Sequence, residues 1–329
     1  MKEIKINFTD FWANFDKKDN FFYNLLSQNY NVIIDNNPDF IIYSTFGSNY
    51  LNYQCKRVFY TGENVRPDFT ACDFAFSYDF NSKENHYRLP IYILYLGNPR
   101  LLNAINKKYN LIELKNIWDA KEKFCCMVVS NPNSKKRINF FKKLSKIKKV
   151  DSGGAVLNNI GGRVKNKLDF ISEYKFVISF ENTSNKGYTT EKLLEAIAMN
   201  CIPIFWGHKS VEKDFNPNRF INYDSFKSED DLIEKIIEIE KDSERAIEIL
   251  RQPVFSNDRF SFHEEQLRIL NCFDQIINSK RKPIAKTYWI WIHLIKRFSK
   301  KRFNISYKYT KYLKLDNYVR FILKNYNKL

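Results

Sequence analysis

The sequence predicts an α/β protein with two doubly wound domains that face a cleft, followed by a separate basic C-terminal tail. Three observations support this prediction. Short β-rich runs alternate with helical segments over residues 1–100, and the same alternation returns over residues 124–279. Strands that alternate with helices form parallel sheets, and 329 residues are enough for two domains that each bury a core. The last part of the chain differs because it carries most of the net charge.

The first region contains four β-rich runs, and a helical run, Phe21–Leu26, separates the first two of them. Each run is bounded by polar, Asn-rich or Gly-containing turns, as strands of a parallel sheet usually are. The predicted strands are Ile4–Phe8, Phe40–Tyr43, Val58–Thr61 and Phe74–Tyr78.

The segment Leu101–Lys123 is rich in charge and asparagine, and it is predicted to link the two domains. We therefore expect an N-terminal domain over residues 1–118 and a C-terminal domain over residues 119–279. An acid-rich helical stretch, Glu229–Arg251, lies near the end of the second domain. The tail is expected over residues 280–329.

The second domain begins with a strand–turn–helix unit that carries a cation near a strand end. Phe124–Ser130 is a predicted buried strand, and a basic amphipathic helix follows its turn. Arg137 falls in the first turn of that helix.

A second unit in the same domain has the complete strand–helix–strand pattern. The predicted strand Tyr174–Phe180 runs into a polar loop, and Thr189 or Thr190 is expected to cap the helix that follows. Glu191 and Lys192 occupy the first turn of this helix, and a further apolar strand completes the unit.

These units predict an anion-binding crevice. Ligands of doubly wound sheets bind outside the carboxyl ends of the strands, where helix N-termini offer free N–H groups and partial positive charge. The macrodipole disfavours a cation in a first helical turn, so Lys192 together with Arg137 suggests a diphosphate clamp. Taken alone, Lys192 also fits an exposed, unpaired lysine on a solvated face. Glu63, just past a strand end of the first domain, is expected to point at the same cleft or to be a solvated turn residue.

The sequence offers no pattern for a metal or a redox centre. It contains no D-x-D triplet, no G-x-x-x-x-G-K-[ST] loop and no clean G-x-G-x-x-G. The six cysteines form no C-x-x-C pair, and the four histidines stand at no metal-ligand spacing relative to them. We expect buried, reduced thiols and no metal-ligating residue.

The basic tail is distinct from the rest of the chain. Residues 280–329 carry +14 of the net charge of +17, which leaves +3 for residues 1–279. Bases interleaved with Trp and Tyr suit an anionic membrane surface or a phosphate backbone, and the amphipathic candidate is Tyr288–Phe298. A flexible solvated terminus is the alternative, although such tails are poor in aromatic residues. No secretory signal or membrane-spanning run is recognisable, so we expect a cytoplasmic protein on the inner membrane face.

One stretch resembles a known family signature. FENTSNKGYTTEK at Phe180–Lys192, followed by IPIFWG at 202–207, resembles the signature of the α1,3/4-fucosyltransferases, glycosyltransferase family 10, and in particular of its bacterial, helicobacter-type members. The resemblance covers about residues 3 to 279. Its other matching segments are Phe8–Trp12, Tyr60–Asn64, Ser130–Asn133 with Arg137, and Val164–Lys167.

The resemblance implies the two-domain GT-B fold and a reaction. In that reaction L-fucose moves with inversion from GDP-fucose to the 3-hydroxyl of GlcNAc in β1,4-galactosyl-GlcNAc glycans, giving Lewis-x-type products. By position, Glu63 is implied as the general base, and Arg137 and Lys192 as ligands of the GDP phosphates. The further implied contacts to the phosphates, ribose or fucose are Asn182, Tyr188 and Glu191.

The resemblance also implies binding partners, and this sequence departs from the family pattern in two respects. The partners are GDP-fucose, a lipid-linked galactosyl-GlcNAc glycan and, through the tail, an anionic membrane; nucleic acid is not expected. No cofactor is implied for donor binding, with Mn²⁺ or Mg²⁺ at most stimulating turnover. Thr189 stands where the family usually has Val, which should matter little, and the leucine-rich heptad repeats of some bacterial members are missing, which leaves the oligomeric state open.

Two alternatives to this activity remain at the level of sequence. One is a GT-B transferase that uses another sugar nucleotide, and the other is a non-catalytic protein that binds anionic surfaces through its tail. The first alternative is tested by whether the protein binds GDP in preference to UDP or ADP. The second is tested by whether GDP is released from GDP-fucose in the presence of acceptor.

Overall fold

Two parallel sheets form the framework of the chain. The structure is a computed structural model, and it describes residues 1–257 and 260–286. Within these residues the first sheet has six strands and the second has five, and all neighbouring strands pair in parallel. The prediction of two doubly wound α/β units is confirmed.

The first sheet has the order β2-β1-β3-β4-β5-β6, so its strand order reverses between β1 and β3. All four predicted strands are present within one or two residues of their expected bounds, and two further strands, β2 and β6, were missed. Both lie at sheet edges and are only half-buried, so their sequences lack a continuous apolar run. The elements of this part are β1 (Lys2–Thr9), α1 (Phe21–Leu26), β2 (Tyr30–Ile34), β3 (Phe40–Tyr43), β4 (Lys56–Tyr60), β5 (Phe74–Ser77), β6 (His86–Arg88), α2 (Ile91–Tyr95) and α3 (Pro99–Asn106).

The second sheet has the order β11-β10-β9-β7-β8, and its strand order reverses between β7 and β9. Both predicted strand–helix units are present, and their central strands are almost fully buried, as strands covered by helices must be. The elements are α4 (Leu111–Asp119), β7 (Lys123–Met127), α5 (Lys135–Ile147), β8 (Val150–Ser152), α6 (Lys167–Ser172), β9 (Tyr174–Phe180), α7 (Glu191–Ala198), β10 (Ile202–Trp206), β11 (Ile221–Asn222), α8 (Glu229–Lys241), α9 (Ser243–Leu250) and α10 (Phe262–Asn278).

The predicted linker is more ordered than its composition indicated. Instead of an irregular linker, Leu101–Lys123 contains most of α3 and all of α4. Asn110 caps α4 through a capping box with Glu113, and Trp118 is buried against Phe176 of the second sheet. The asparagines that suggested a linker act as helix caps, which is a local role compatible with a folded segment.

The last helix returns to the first sheet. Phe273 of α10 packs against Phe22, Phe40 and Phe76, and Tyr87 donates a hydrogen bond to Glu265 at 2.8 Å. From the sequence, residues 262–278 were expected to belong to the second domain. The chain therefore leaves the first sheet before α4 and returns to it with α10.

The chain beyond α10 follows the first sheet as far as it is described. The amide of Ile284 donates to Asp73 Oδ1 at 2.8 Å, and Ala285 is buried. The rest of the basic tail, including the amphipathic candidate Tyr288–Phe298, lies outside the described residues. Among the helices of residues 1–257 and 260–286, none combines the length and apolarity that a membrane span requires.

Candidate active site

The sequence-predicted crevice lies at the carboxyl edge of the second sheet, where its strand order reverses. The helix α5 follows β7 there, and a polar loop leads from β9 into α7. Adjacent parallel strands deliver these two segments to one place, because their carboxyl ends share an edge. Arg137 and the loop 181–190 are thereby neighbours, although more than forty residues separate them in sequence.

Glu181 organises the start of α7. Its side chain is fully buried; Oε1 accepts from the Thr190 amide at 2.7 Å and Oε2 accepts from Thr190 Oγ1 at 2.9 Å. Thr190 is the N-cap residue of α7, as predicted, although its side chain makes no cap bond with the helix. The Thr190 hydroxyl instead donates to the buried Glu181 carboxylate and accepts from the Lys192 amine.

Lys192 is held by this arrangement and is not a solvated lysine. Its amine donates to Thr190 Oγ1 at 2.8 Å and to Glu181 Oε2 at 3.3 Å, and Glu191 lies 3.6 Å away. Burial favours the neutral amine, but the two carboxylates outweigh it and raise the pKa of Lys192. Burial likewise opposes ionisation of Glu191, but Lys192 and Lys167 outweigh it and lower the pKa of this carboxyl. Lys192 therefore stays charged in the first turn of α7.

Arg137 is the second cation of the crevice. It is 1% exposed, and Nη2 donates to Asn182 Oδ1 at 2.6 Å, while Nε and Nη1 are buried without a hydrogen-bond partner among the described residues. Burial lowers the pKa of Arg137, and the negative charge of Glu181 opposes this effect. The positive charge of Arg137 in turn acts to lower the pKa of Lys192. Two unpaired donors on a buried guanidinium are unusual, since such groups normally find acceptors. The geometry suits an anion with several oxygens.

Glu63 and Tyr188 face each other from the two domains. Glu63 is exposed and lies three residues beyond β4, at the carboxyl edge of the first sheet, as predicted. Its charge reaches Tyr188, which is buried in the loop before α7 and stacks edge-on with Tyr78 at 5.2 Å. Burial is the main cause that raises the pKa of Tyr188, and Glu181 and Glu63 add to it. Contacts or charge interactions thus connect all six predicted site residues, and their roles in binding and catalysis stay predictions.

A bridge between the domains fixes the loop that carries Asn182 and Tyr188. Arg88 binds Asp214 through both terminal nitrogens at 2.8 Å, and it also donates to the carbonyls of Tyr78 and Gly187. Gly187 has φ +87°, and a Cβ there would lie 2.4 Å from Tyr78 O, so this contact requires glycine. The loop therefore rests directly on the first domain.

Two important residues carried no predicted role. Glu181 stands inside the signature, but a carboxylate directly after a strand gives no sign that it will be buried. Arg88 is paired with a residue 126 positions away, so no local pattern could have assigned it. Among residues 1–257 and 260–286, no group of three or more His, Cys, Asp or Glu side chains could hold a metal ion, and all six cysteines are free thiols.

We expect Glu181→Gln to destabilise the protein by about 3–5 kcal/mol, because it removes one partner of a buried ion pair and leaves Lys192 uncompensated on that side. The matched control is Glu173→Gln, which breaks an exposed pair with Lys123 and should change stability by less than about 1 kcal/mol. Urea unfolding measures both. Equal, small changes would mean that Glu181 does not organise this helix start.

Comparisons with known proteins identify the family. The family model described as Alpha-(1,3)-fucosyltransferase FucT N-terminal domain matches residues 6–95, and that of Glycosyltransferase family 10 (fucosyltransferase) C-term matches residues 118–251. A solved α1,3-fucosyltransferase in complex with GDP-fucose superposes with a TM-score of 0.71 at 30% identity, over 85% of this chain and 92% of the other. The chain belongs to glycosyltransferase family 10. Its GT-B fold is that of this fucosyltransferase.

Curated relatives in family 10 are longer than this chain. The Helicobacter pylori alpha-(1,3)-fucosyltransferase FucT is 35% identical over 269 residues, which are 71% of this chain and 56% of the relative. The human 4-galactosyl-N-acetylglucosaminide 3-alpha-L-fucosyltransferase 9 is 32% identical over 127 residues, 38% of this chain and 35% of the relative. The chain spans about half the length of the first of these. Anabaena HepE, solved with UDP and glucose, shares the fold alone, with a TM-score of 0.51 at 10% identity.

Proposed function

We propose that this protein is an inverting α1,3-fucosyltransferase that uses GDP-fucose. Its acceptor is the GlcNAc 3-hydroxyl of β1,4-galactosyl-GlcNAc glycans, and its product is of the Lewis-x type. The proposal is supported by membership of glycosyltransferase family 10 and by the relative solved with GDP-fucose. The name of the human relative, a 4-galactosyl-N-acetylglucosaminide 3-fucosyltransferase, supports the acceptor class.

The observation that best supports binding of GDP-fucose is that Arg137 is buried with unpaired nitrogen donors. A buried guanidinium with two nitrogens, Nε and Nη1, lacking acceptors among the described residues becomes satisfied when diphosphate oxygens bind, and Lys192 supplies a second positive charge beside it. The departing GDP gains negative charge as the fucose–oxygen bond breaks, so both cations act more strongly in the transition state than in the ground state. Asn182, Tyr188 and Glu191 line the same crevice for the rest of the donor.

On the acceptor side, Glu63 takes the proton of the attacking hydroxyl. It stands on the first domain, across the cleft from the cations, so the hydroxyl approaches the anomeric carbon from the face opposite to GDP. Attack from that face inverts the configuration, and the carboxylate receives the proton as the new bond forms. The Arg88–Asp214 bridge keeps the two domains at the separation that this geometry needs.

A donor and acceptor screen tests the proposal. The full chain is mixed with GDP-fucose and either β1,4- or β1,3-galactosyl-GlcNAc, and product linkage and anomeric configuration are determined by NMR. We expect α1,3-linked fucose on the β1,4 acceptor. Binding of UDP or ADP in preference to GDP would favour the transferase of another sugar nucleotide, and absence of GDP release with either acceptor would favour a non-catalytic binder.

We expect donor binding to be independent of metal ions. The cations Arg137 and Lys192 neutralise the phosphates, and the described residues hold no cluster of metal-ligating side chains in their place. The affinity for GDP, measured by calorimetry, should be the same with excess chelator and with added Mn²⁺. A strict requirement for Mn²⁺ or Mg²⁺ in binding would contradict this, whereas stimulation of turnover alone would not.

We further propose that the tail holds the enzyme on the anionic inner face of a membrane, close to lipid-linked acceptors such as O-antigen glycans. Each Lys or Arg near such a surface contributes about 1 kcal/mol, and the aromatic residues add interfacial burial. The tail charge of +14 supports an anionic partner, and a glycan-building enzyme has no evident use for nucleic acid.

Truncation after Lys286 should therefore abolish binding to anionic vesicles and leave turnover on a soluble acceptor near that of the full chain. Residues 280–286 are kept because Ala285 is buried on the first domain. Co-sedimentation with anionic and neutral vesicles is the measurement, with the full chain as control. Loss of folding or of turnover on truncation would give the tail a structural role.

A further inference from the structure

A hydrogen bond between the two domains joins the chain neighbours of two predicted site residues. Asn64 Nδ2 donates to Thr183 Oγ1 at 2.9 Å. Asn64 directly follows Glu63, the predicted base. Thr183 directly follows Asn182, which accepts from Arg137. The bond therefore links the turn that carries the predicted base to the loop that leads into α7.

The oxygen of the Asn64 side chain is held by the first domain. It accepts from the Tyr78 hydroxyl at 2.8 Å. Burial raises the pKa of Tyr78, so this hydroxyl keeps its proton and can donate. Because the amide oxygen of Asn64 faces Tyr78, its nitrogen faces Thr183, and the two bonds together fix one orientation of the side chain.

Tyr78 also contacts the loop that leads into α7. It is buried, and its ring meets the Tyr188 ring edge-on at 5.2 Å. Arg88 donates from Nε to the Tyr78 carbonyl at 3.1 Å and from Nη2 to the Gly187 carbonyl at 3.3 Å. Tyr78 thus contacts the last part of this loop, while Asn64 contacts its first part.

Backbone contacts fix the turn that carries Glu63. The Glu63 amide donates to Thr61 Oγ1 at 3.0 Å, and the Val65 amide donates to the Glu63 carbonyl at 2.7 Å. The Glu63 side chain is exposed, so the direction of its carboxylate depends on where this turn lies. The turn is tied to its own domain at Thr61 and to the other domain at Asn64, and both domains therefore set its position.

We propose that Asn64 is a positioning residue that transmits binding of GDP-fucose to Glu63. Binding of the diphosphate orders the loop 181–190, and the bond between Thr183 and Asn64 then sets the turn 61–65 for proton transfer. By reciprocity, correct placement of the turn favours the donor-bound loop. This inference rests on the proposed function, because it takes Glu63 as the base and the second domain as the donor site.

Thr183→Val and Thr183→Ser test the bond from the side of the loop. Valine has the shape of threonine but no hydroxyl, whereas serine keeps the accepting oxygen, and Thr183 is exposed, so both variants should fold. We expect Thr183→Val to lower kcat by about 10–100-fold with a GDP affinity near that of the parent, and Thr183→Ser to keep most of the rate. The matched control is Arg100→Gln, which breaks an exposed ion pair between α3 and α6 and should leave kcat unchanged.

Asn64→Ala and Tyr78→Phe test the bond from the side of the first domain. The first variant removes both hydrogen bonds of the amide, and the second removes only the bond that orients it. Both should lower kcat, measured with saturating GDP-fucose and acceptor. Adding Thr183→Val to Asn64→Ala should lower kcat no further, because the two residues act through one bond. Independent, additive losses would overturn the proposal.

Hydrogen exchange separates failure of this inference from failure of the proposed function, because it requires no turnover. Exchange in peptides that contain residues 61–65 is followed by mass spectrometry with and without GDP. We expect GDP to slow exchange there in the parent and in Thr183→Ser, but not in Thr183→Val. A parent that shows this protection and transfers no fucose would support the coupling and contradict the proposed activity. Absence of protection in the parent, or equal protection in Thr183→Val, would overturn the inference.

Discussion

Replacing Glu63 by Gln is expected to slow fucosyl transfer by about 10²–10⁴-fold while leaving GDP affinity near that of the parent. The amide keeps the size of the side chain and removes its capacity to accept the acceptor proton. GDP affinity should be spared because the cations proposed to bind the phosphates, Arg137 and Lys192, stand on the other domain. Initial rates with saturating GDP-fucose and calorimetric titration with GDP measure the two quantities separately.

The control for this prediction is Glu84→Gln, which removes a highly exposed carboxylate from the same domain and should leave the rate unchanged. Glu63→Asp keeps the carboxylate but shortens its reach, so part of the rate should remain. A Glu63→Gln enzyme with parental turnover would remove this residue from the mechanism and leave the acceptor proton without an assigned base.

Removal of Arg137 or Lys192 should weaken GDP binding by about 1.5–3 kcal/mol each, which is about 10–100-fold in the dissociation constant. Each substitution would delete one of the charge-assisted contacts proposed for the diphosphate. Arg137→Lys should recover little of the loss, because an ammonium cannot offer the several N–H groups of the guanidinium. Calorimetry with GDP is the measurement, and Lys146→Ala, an exposed lysine of α5, is the control.

Stability in the absence of ligand separates a binding role of Arg137 from a structural one. Two buried nitrogens of Arg137, Nε and Nη1, have no hydrogen-bond partner among the described residues, so Arg137→Ala removes an unfavourable burial as well as packing contacts. We expect Arg137→Ala to lower the free energy of unfolding by much less than it weakens the free energy of GDP binding. A variant that binds GDP as the parent does would show that the clamp is misplaced, whereas a variant that does not fold would give Arg137 a structural role.

Much of the site follows from local patterns in the sequence. The apolar strand Tyr174–Phe180, the polar loop after it and the periodic helix from Glu191 define a strand–helix unit, and parallel sheets bind ligands at that end of their strands. The same reasoning placed Arg137 and Glu63 beyond strand ends. Family resemblance then supplied roles for Asn182, Tyr188 and Glu191, which periodicity alone could not distinguish from ordinary loop residues.

The sequence by itself determined the alternation of strands and helices, the two sheets and the strand ends at which charged residues accumulate, because these depend on neighbours within one or two turns of chain. Only the tertiary structure decided which distant groups meet. It paired Lys192 with the buried Glu181, joined Arg88 to Asp214 and returned α10 to the first sheet. Such contacts have no sequence period, since burial and charge compensation depend on how whole elements pack against one another.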